Sequence, residues 1–228
     1  AQDFVRHYSD LWASGKAMFV CLNKVTCVRM YNYVQEYWKA EIKTLKLSLK
    51  YASQQESIEL ERKIKWMQET EMAVVISQEQ NEIQTFKKWG LDIKTHRSKM
   101  EKRDLDKEFK DSKNPLRIVF VCAMWLTGFD VKCLSCLYLD KPLKSHTLMQ
   151  AIARANRVSE GKSNGLIIDY IGIVKALRKA LADYTANVSG NEGSDPTIDK
   201  DELIVRIIET IGKADEFLNE NNFDLEML

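Results

Sequence analysis

Gln150, Arg154 and Arg157 recur at intervals of four and three in QAIARANR, a spacing that brings side chains onto one face of a helix. One amide and two guanidinium groups on a rigid helix suit phosphate oxygens, because the planar guanidinium fork engages such oxygens two at a time. With Ser145 as N-cap and a helix running to about Val158, these three residues fall within a narrow arc, while Leu148, Ile152 and Ala155 fall on the opposite side. Ala151 and Ala153 flank the polar stripe and leave room for another surface. A second set lies some twenty residues upstream, in AMWLTGFD (123–130). Gly128 lets backbone approach a ligand closely, and an ionised Asp130 is an acceptor suited to a ribose hydroxyl. Each set has a plainer explanation in isolation: a solvated helix face for the arginines, an Asx turn for Asp130.

The elements that must position these residues are legible as apolar runs. AMFVCL (17–22), MAVVIS (72–77), RIVFVC (117–122), LSCLYLD (134–140) and GLIIDY (165–170) read as strands, most of them apolar on both faces. Helical spacing is expected over 25–39, 51–71, 78–89, 102–110 and 173–184. Strand alternating with helix predicts a doubly wound α/β domain with a parallel sheet. Both candidate sets then leave the carboxyl ends of neighbouring strands, the edge at which open α/β sheets bind ligands.

The 228 residues carry a net charge of +1, so no whole-chain basic footprint for nucleic acid exists, although balanced totals can hide a local groove. Cys21, Cys27, Cys122, Cys133 and Cys136 are odd in number and three of them sit in or beside apolar runs, which predicts reduced, buried thiols in a cytosolic protein. Cys133 and Cys136 form a C-x-x-C with no second ligand pair, so they read as core cysteines. No apolar run is long enough to span a bilayer. The first residues lack a start methionine and already read as mid-helix, so the chain is expected to be a piece of a longer protein. The charged stretch 39–71 is expected to be a helical insert, with Leu60 and Trp66 available to dock. NVSGNEGSDP (187–196) reads as a linker after a domain spanning 1–186, and the amphipathic pattern of 197–228 as the start of a helical domain.

TGFD followed by Q-x-x-x-R-x-x-R resembles motifs V and VI of superfamily 2 helicases and translocases. The longer string MWLTGFDVKCLSCLYLDKPLKSHTLMQAIARANRV resembles the motor subunit of type I restriction endonucleases. GKAMFVCLNKVTCVRMYNYV (15–34) is similar to motif IV of that subunit, and GLDIKTHRSKMEKRDLDKEFK (90–110) to the segment before motif V. The likeness covers roughly 4–184. It implies a second RecA-like lobe of a two-lobe motor, with ATP and Mg²⁺ held mainly by a first lobe and completed by arginines of this one. On that likeness Arg157 is the arginine finger, Arg154 a second phosphate-facing arginine, and Gln150 an orienting group. Thr127, Gly128 and Asp130 would touch the nucleotide or couple it to DNA. Asn23, Lys24 and Thr26, after the motif IV strand, would contact the backbone of double-stranded DNA, which carries no sequence information. The implied partners are the first lobe and nuclease domain of the same subunit and separate methyltransferase and specificity subunits, in a prokaryotic cytoplasm. The chain departs from the pattern at Cys122, where a threonine is common, at Ala123, where an acidic residue is frequent, and at Asn23-Lys24, which replaces Ser-Arg.

Two short strings are decoys. GKS (161–163) has Asn156 where a P-loop needs glycine, and it precedes a strand instead of a helix. DIK (92–94) matches the tail of a nuclease motif but lacks an upstream acidic partner on a strand. The chain alone is therefore expected neither to hydrolyse ATP nor to cut DNA. His7, His96 and His146 lack metal-ligand spacing and are expected at the surface or in caps. Trp125 is expected to pack, not to stack on a base. Two other readings remain at this point: a superfamily 2 helicase or remodeller outside restriction, and a degenerate RecA-like module that only binds a partner.

Overall fold

The computed structural model describes residues 1–12, 14–126, 128–143, 145–155 and 165–173, with single residues at 175, 205 and 208. The side chains of Ser145, His146, Met149, Ala153 and Arg154 are not among the described ones. The chain divides into two compact units, Ala1–Ile173 and Val174–Leu228, and all the elements below belong to the first. Apart from residues 173, 175, 205 and 208, the expected helix at 173–184, the linker, the C-terminal helix and the GKS turn lie outside the described residues.

Five strands, β1 (Lys16–Cys21), β2 (Glu71–Val75), β3 (Leu116–Val121), β4 (Leu134–Asp140) and β5 (Leu166–Asp169), form one sheet in the order β2-β3-β1-β4-β5. Every pairing is parallel. The five apolar runs thus become strands within a residue or so of their expected bounds. Alternation along each strand feeds two cores. Ala17, Phe19, Met72, Val74, Ile118, Phe120, Cys136 and Tyr138 pack with Phe4 and Tyr8 of α1 (Gln2–Asp10), with Val28, Val34 and Trp38 of α2 (Lys24–Ser48), and with Met67 of α3 (Gln54–Glu69). The intervening residues Met18, Val20, Val119, Val121, Leu137 and Leu139 are equally buried on the opposite face. A sheet covered on both faces explains why its strands read as continuous apolar runs. This is the doubly wound, RecA-like arrangement expected.

The helices depart from expectation in informative ways. The boundary drawn at Lys39 falls inside α2, which runs unbroken to Ser48. Ser53 and Glu56 then start α3 with a reciprocal capping box. Trp38 Nε1 donates to the Met67 carbonyl at 2.9 Å, tying the hairpin to the core. The helix expected over 78–89 shortens to α4 (Glu82–Lys88), and the segment 90–110 holds two helices, α5 (Lys94–Lys102) and α6 (Leu105–Lys110), of which only the second is expected from the sequence. α5 has almost no apolar signal because its inward face is polar: Arg97 donates to Glu82 and to the Ile76 carbonyl, and Lys99 Nζ donates to the Met72 carbonyl at 2.8 Å. Asp92 of the DIK string caps this helix, accepting from Lys94 N at 2.9 Å and Thr95 Oγ1 at 2.6 Å.

His96 corrects the surface assignment. It is 8% exposed and sits edge-on to Tyr31, with ring centroids 4.6 Å apart. Burial lowers its pKa, opposed by the Asp92 charge and assisted by Lys99. The folded state therefore binds fewer protons than the unfolded state below the ordinary histidine value of about 6.5. Stability supplied by the neutral ring is full above that value and falls as pH drops through it. Thermal denaturation between about pH 7 and 5, above the carboxylate range, should show Tm falling with pH. His96→Phe, which keeps a ring against Tyr31, should flatten the curve; an unchanged slope would remove His96 as its source.

Candidate functional site

Because all strands are parallel, the loops after β1, β2, β3 and β4 gather at one edge. The β3–β4 connection (122–133) crosses beneath β1 without a helix of its own. Leu126, Phe129 and Val131 are buried, and together with Trp125 they line a small apolar cavity closed by Met18, Leu137 and Ala151. Trp125 stacks on Phe129 with centroids 4.1 Å apart and lies 5.7 Å from Phe109, so the packing role expected for it holds. Its φ of +67° is strained for a bulky side chain, at a cost of order 1–3 kcal/mol that this stacking must offset. Gly128 follows at φ +72°, and a Cβ there would meet nothing within 4 Å. Glycine is thus required by the backbone angle, and the space beside it is open to a ligand. Gly128 and Asp130 are both exposed on this loop. Thr127 lies outside the described residues.

The helix of the opening stripe is α7 (Ser145–Ala155). It opens at Ser145 itself, not one residue later as an N-cap assignment would have it. Leu148 and Ala155 are buried against the sheet as expected, and Ile152 is half-buried. Ala151 corrects the reading that it flanks the polar stripe: it is 3% exposed and closes the cavity against Trp125 and Phe129. Gln150, on the other arc, is half-buried. A Cβ at Gly165, at the entry to β5, would run into the Ala155 carbonyl, so backbone meets backbone where α7 ends. Arg154 belongs to α7, with its side chain undescribed; Arg157 lies outside the described residues.

The β1 side is built from a cap. Asn23 begins α2, its Oδ1 accepting from Thr26 N at 2.8 Å and Thr26 Oγ1 at 3.0 Å. Lys24 Nζ pairs with Glu79 Oε1 at 2.5 Å, and its side chain is only 19% exposed. Asn23, Lys24 and Thr26 are thus brought together at the carboxyl edge, and each is already engaged within the protein. The loop carrying Glu79 is held from behind: Arg97 binds Glu82 through Nε (2.9 Å) and Nη2 (2.7 Å) and reaches the Ile76 carbonyl (3.1 Å). Hydrogen bonds from Arg97 hold the Glu82 carboxyl below its usual range. Sequence reasoning missed Glu79, Arg97 and Lys141. Lys141 Nζ donates to the Cys122 carbonyl at 2.9 Å and so ties the end of β4 to the end of β3. A lysine directly after a strand was the only local signal for it. Cys122 itself is a free thiol at this edge, as are the other four cysteines elsewhere.

The fold and this edge define a doubly wound α/β domain with its candidate residues at the carboxyl ends of parallel strands. A family model described as type I restriction enzyme subunit R domain 3 matches residues 13–172, and the chain belongs to that family. Among curated relatives, the type I restriction enzyme HindI endonuclease subunit of Haemophilus influenzae is 36% identical over 190 residues, 81% of this chain and 16% of that protein. A putative type I restriction enzyme MjaIXP endonuclease subunit of Methanocaldococcus jannaschii is 54% identical over 90 residues, 40% of this chain and 9% of that protein. The chain thus spans less than a fifth of the length of these relatives. Among solved structures, the C-terminal domain of the DEAD-box protein Dbp5 aligns with 80% of this chain and 81% of its own at 14% identity and a TM-score of 0.42.

Proposed function

We propose that the chain is the second motor lobe of the ATP-dependent, DNA-translocating restriction subunit of a type I restriction–modification enzyme. The observation that carries this is the joint between two motifs: Ala151 of the arginine-bearing helix closes the same small apolar cavity as Trp125, Leu126 and Phe129 of the loop that presents Gly128 and Asp130. A shift in either is felt by the other, which is what coupling nucleotide state to movement requires.

In this reading ATP and Mg²⁺ are held mainly by a first lobe, and ATP supplies the free energy through transfer of its terminal phosphoryl group to water. Arg157 and Arg154 stabilise charge on the transferred group, Gln150 orients the nucleotide or the attacking water, and Thr127, Gly128 and Asp130 line the nucleotide side of this lobe. The open space beside Gly128 fits such a group. The chain alone, without a P-loop, does not hydrolyse ATP, and without a nuclease motif it does not cut DNA. Its partners are double-stranded DNA, the first lobe and nuclease domain of the same subunit, and methyltransferase and specificity subunits, in the cytoplasm. The decisive test is DNA-stimulated ATP hydrolysis by the full-length subunit with Arg157 replaced.

Asn23, Lys24 and Thr26 form the DNA-backbone contact, with Lys24 exchanging Glu79 for a phosphate. Lys24→Ala should weaken binding to unrelated duplexes by a common factor and reduce the slope of log affinity against log salt by about 0.9. Glu79→Gln, which releases Lys24, should strengthen binding. Fluorescence anisotropy across a salt series measures both; an unchanged slope in Lys24→Ala would take Lys24 out of the DNA interface.

A further inference from the structure

At the amino ends of β1, β3 and β4, the edge opposite the one described above, a cavity of about 310 Å³ opens between Trp12, Lys16, Trp66, Lys113, Arg117 and Cys133. Its size falls within the range of small-molecule sites. Among the described residues no acidic side chain lines it, whereas three cations do. Two of the three are withdrawn from water. Lys16 is 2% exposed, with Nζ donating to the Glu108 carbonyl at 2.9 Å and lying 5.3 Å from the Phe109 ring centroid. Arg117 is half-buried, its guanidinium 5.1 Å from the Trp66 centroid and its Nη1 donating to the Trp66 carbonyl (3.1 Å) and Thr70 Oγ1 (3.0 Å).

Buried cations are normally paired with a carboxylate. Neither Lys16 nor Arg117 has an ion-pair partner among the described residues, in contrast to Arg97 and Arg103, which both do. Desolvation accordingly pushes the Lys16 amine down to about 8. The nitrogens of Arg117 other than Nη1 have no partner among the described residues, so a planar donor set remains for a bidentate anion. The walls beside these charges are indoles: Trp12 and Trp66 lie 6.4 Å apart at 64°. Indole faces accept flat rings with little regard to identity.

We propose that this amino-edge cavity binds a phosphorylated ligand carrying a flat ring, of mononucleotide size, with Lys113 and Arg117 taking the phosphate and Trp12 the ring. The ligand supplies the negative charge that the fold leaves out. The site is separate from the nucleotide edge of the motor reading and does not rest on it.

Isothermal titration of the 228-residue chain at low salt with AMP, inorganic phosphate and adenosine tests this. AMP should bind at millimolar concentration or below, and phosphate and adenosine each about tenfold more weakly, one charge-assisted contact being worth roughly that factor. Lys113→Glu, at an exposed position that leaves the fold alone, and Trp12→Ala should each weaken AMP by about tenfold or more. Lys88→Ala, which removes an exposed cation that does not line this cavity, should leave AMP binding unchanged. Absence of AMP binding, phosphate binding equal to that of AMP, or AMP binding unchanged by Lys113→Glu would each overturn the proposal. An equal loss of binding in Lys88→Ala would do so as well, because surface charge in general and not this cavity would then hold AMP.

Discussion

Arg157→Ala in the full-length subunit is expected to lower DNA-stimulated ATP hydrolysis by roughly 10³-fold or more, while ATP and DNA still bind. A thousandfold corresponds to about 4 kcal/mol of transition-state stabilisation. That is the size expected when a preorganised guanidinium is removed from a water-excluded phosphoryl group, and far more than a solvated surface arginine contributes. The arginine acts on charge that develops in the transition state, so kcat should fall and binding should not. Arg157→Lys keeps the charge but loses the planar fork, and should recover only part of the rate. The comparison needs stopped-time phosphate release together with equilibrium binding on the same samples. Hydrolysis that survives Arg157→Ala would reduce the QAIARANR stripe to a polar surface, and the function would have to be sought in DNA or partner binding.

The second large effect falls on stability and reaches the same edge. Arg97→Ala leaves the Glu82 carboxylate, 8% exposed, buried without the guanidinium that grips both its oxygens. Stranding one partner of a buried pair costs about 3–5 kcal/mol. For a chain of this size that is a fall in Tm of roughly 6–20 °C. The double variant Arg97→Met with Glu82→Gln removes both charges and should lose less than Arg97→Ala does, because no unpaired ion remains. The pair also has a signature in pH. Arg97 lowers the Glu82 pKa, so the folded state releases that proton more readily than the unfolded state does. The stabilisation is therefore present above the ordinary carboxylate range and lost as pH falls into it. Arg97→Ala should weaken this acid sensitivity as well as lower Tm. Since Arg97 also holds the Ile76 carbonyl, the loop bearing Glu79 should loosen with it and Lys24 should lose its partner. A Tm drop under 3 °C or so would mean that the pair is replaced by water at little cost.

The sequence by itself determined the sheet, because strands buried on both faces must be apolar throughout, and five such runs separated by helical spacing leave few other folds. It also determined the helix α7 that carries Gln150 and Arg154, since helical spacing is a local property. DIK as a decoy was legible in the sequence too, and its Asp92 proves to accept hydrogen bonds from Lys94 N and Thr95 Oγ1, two and three residues on. Other features were decided only when distant segments met. α5 was hidden because its inner face carries His96, Arg97 and Lys99, whose polarity reads as solvent exposure until Glu82 and the Ile76 and Met72 carbonyls arrive to satisfy it. Ala151, read as a gap beside the stripe, became a contact once the β3–β4 connection passed under β1. Lys24 acquired Glu79 from a loop more than fifty residues away, and the amino-edge cavity draws Trp12, Trp66 and Arg117 from three separate stretches. Periodicity records which side of an element faces inward. It holds no record of which charge waits on the other side, because that depends on strand order, and strand order is fixed by packing between elements far apart in the chain.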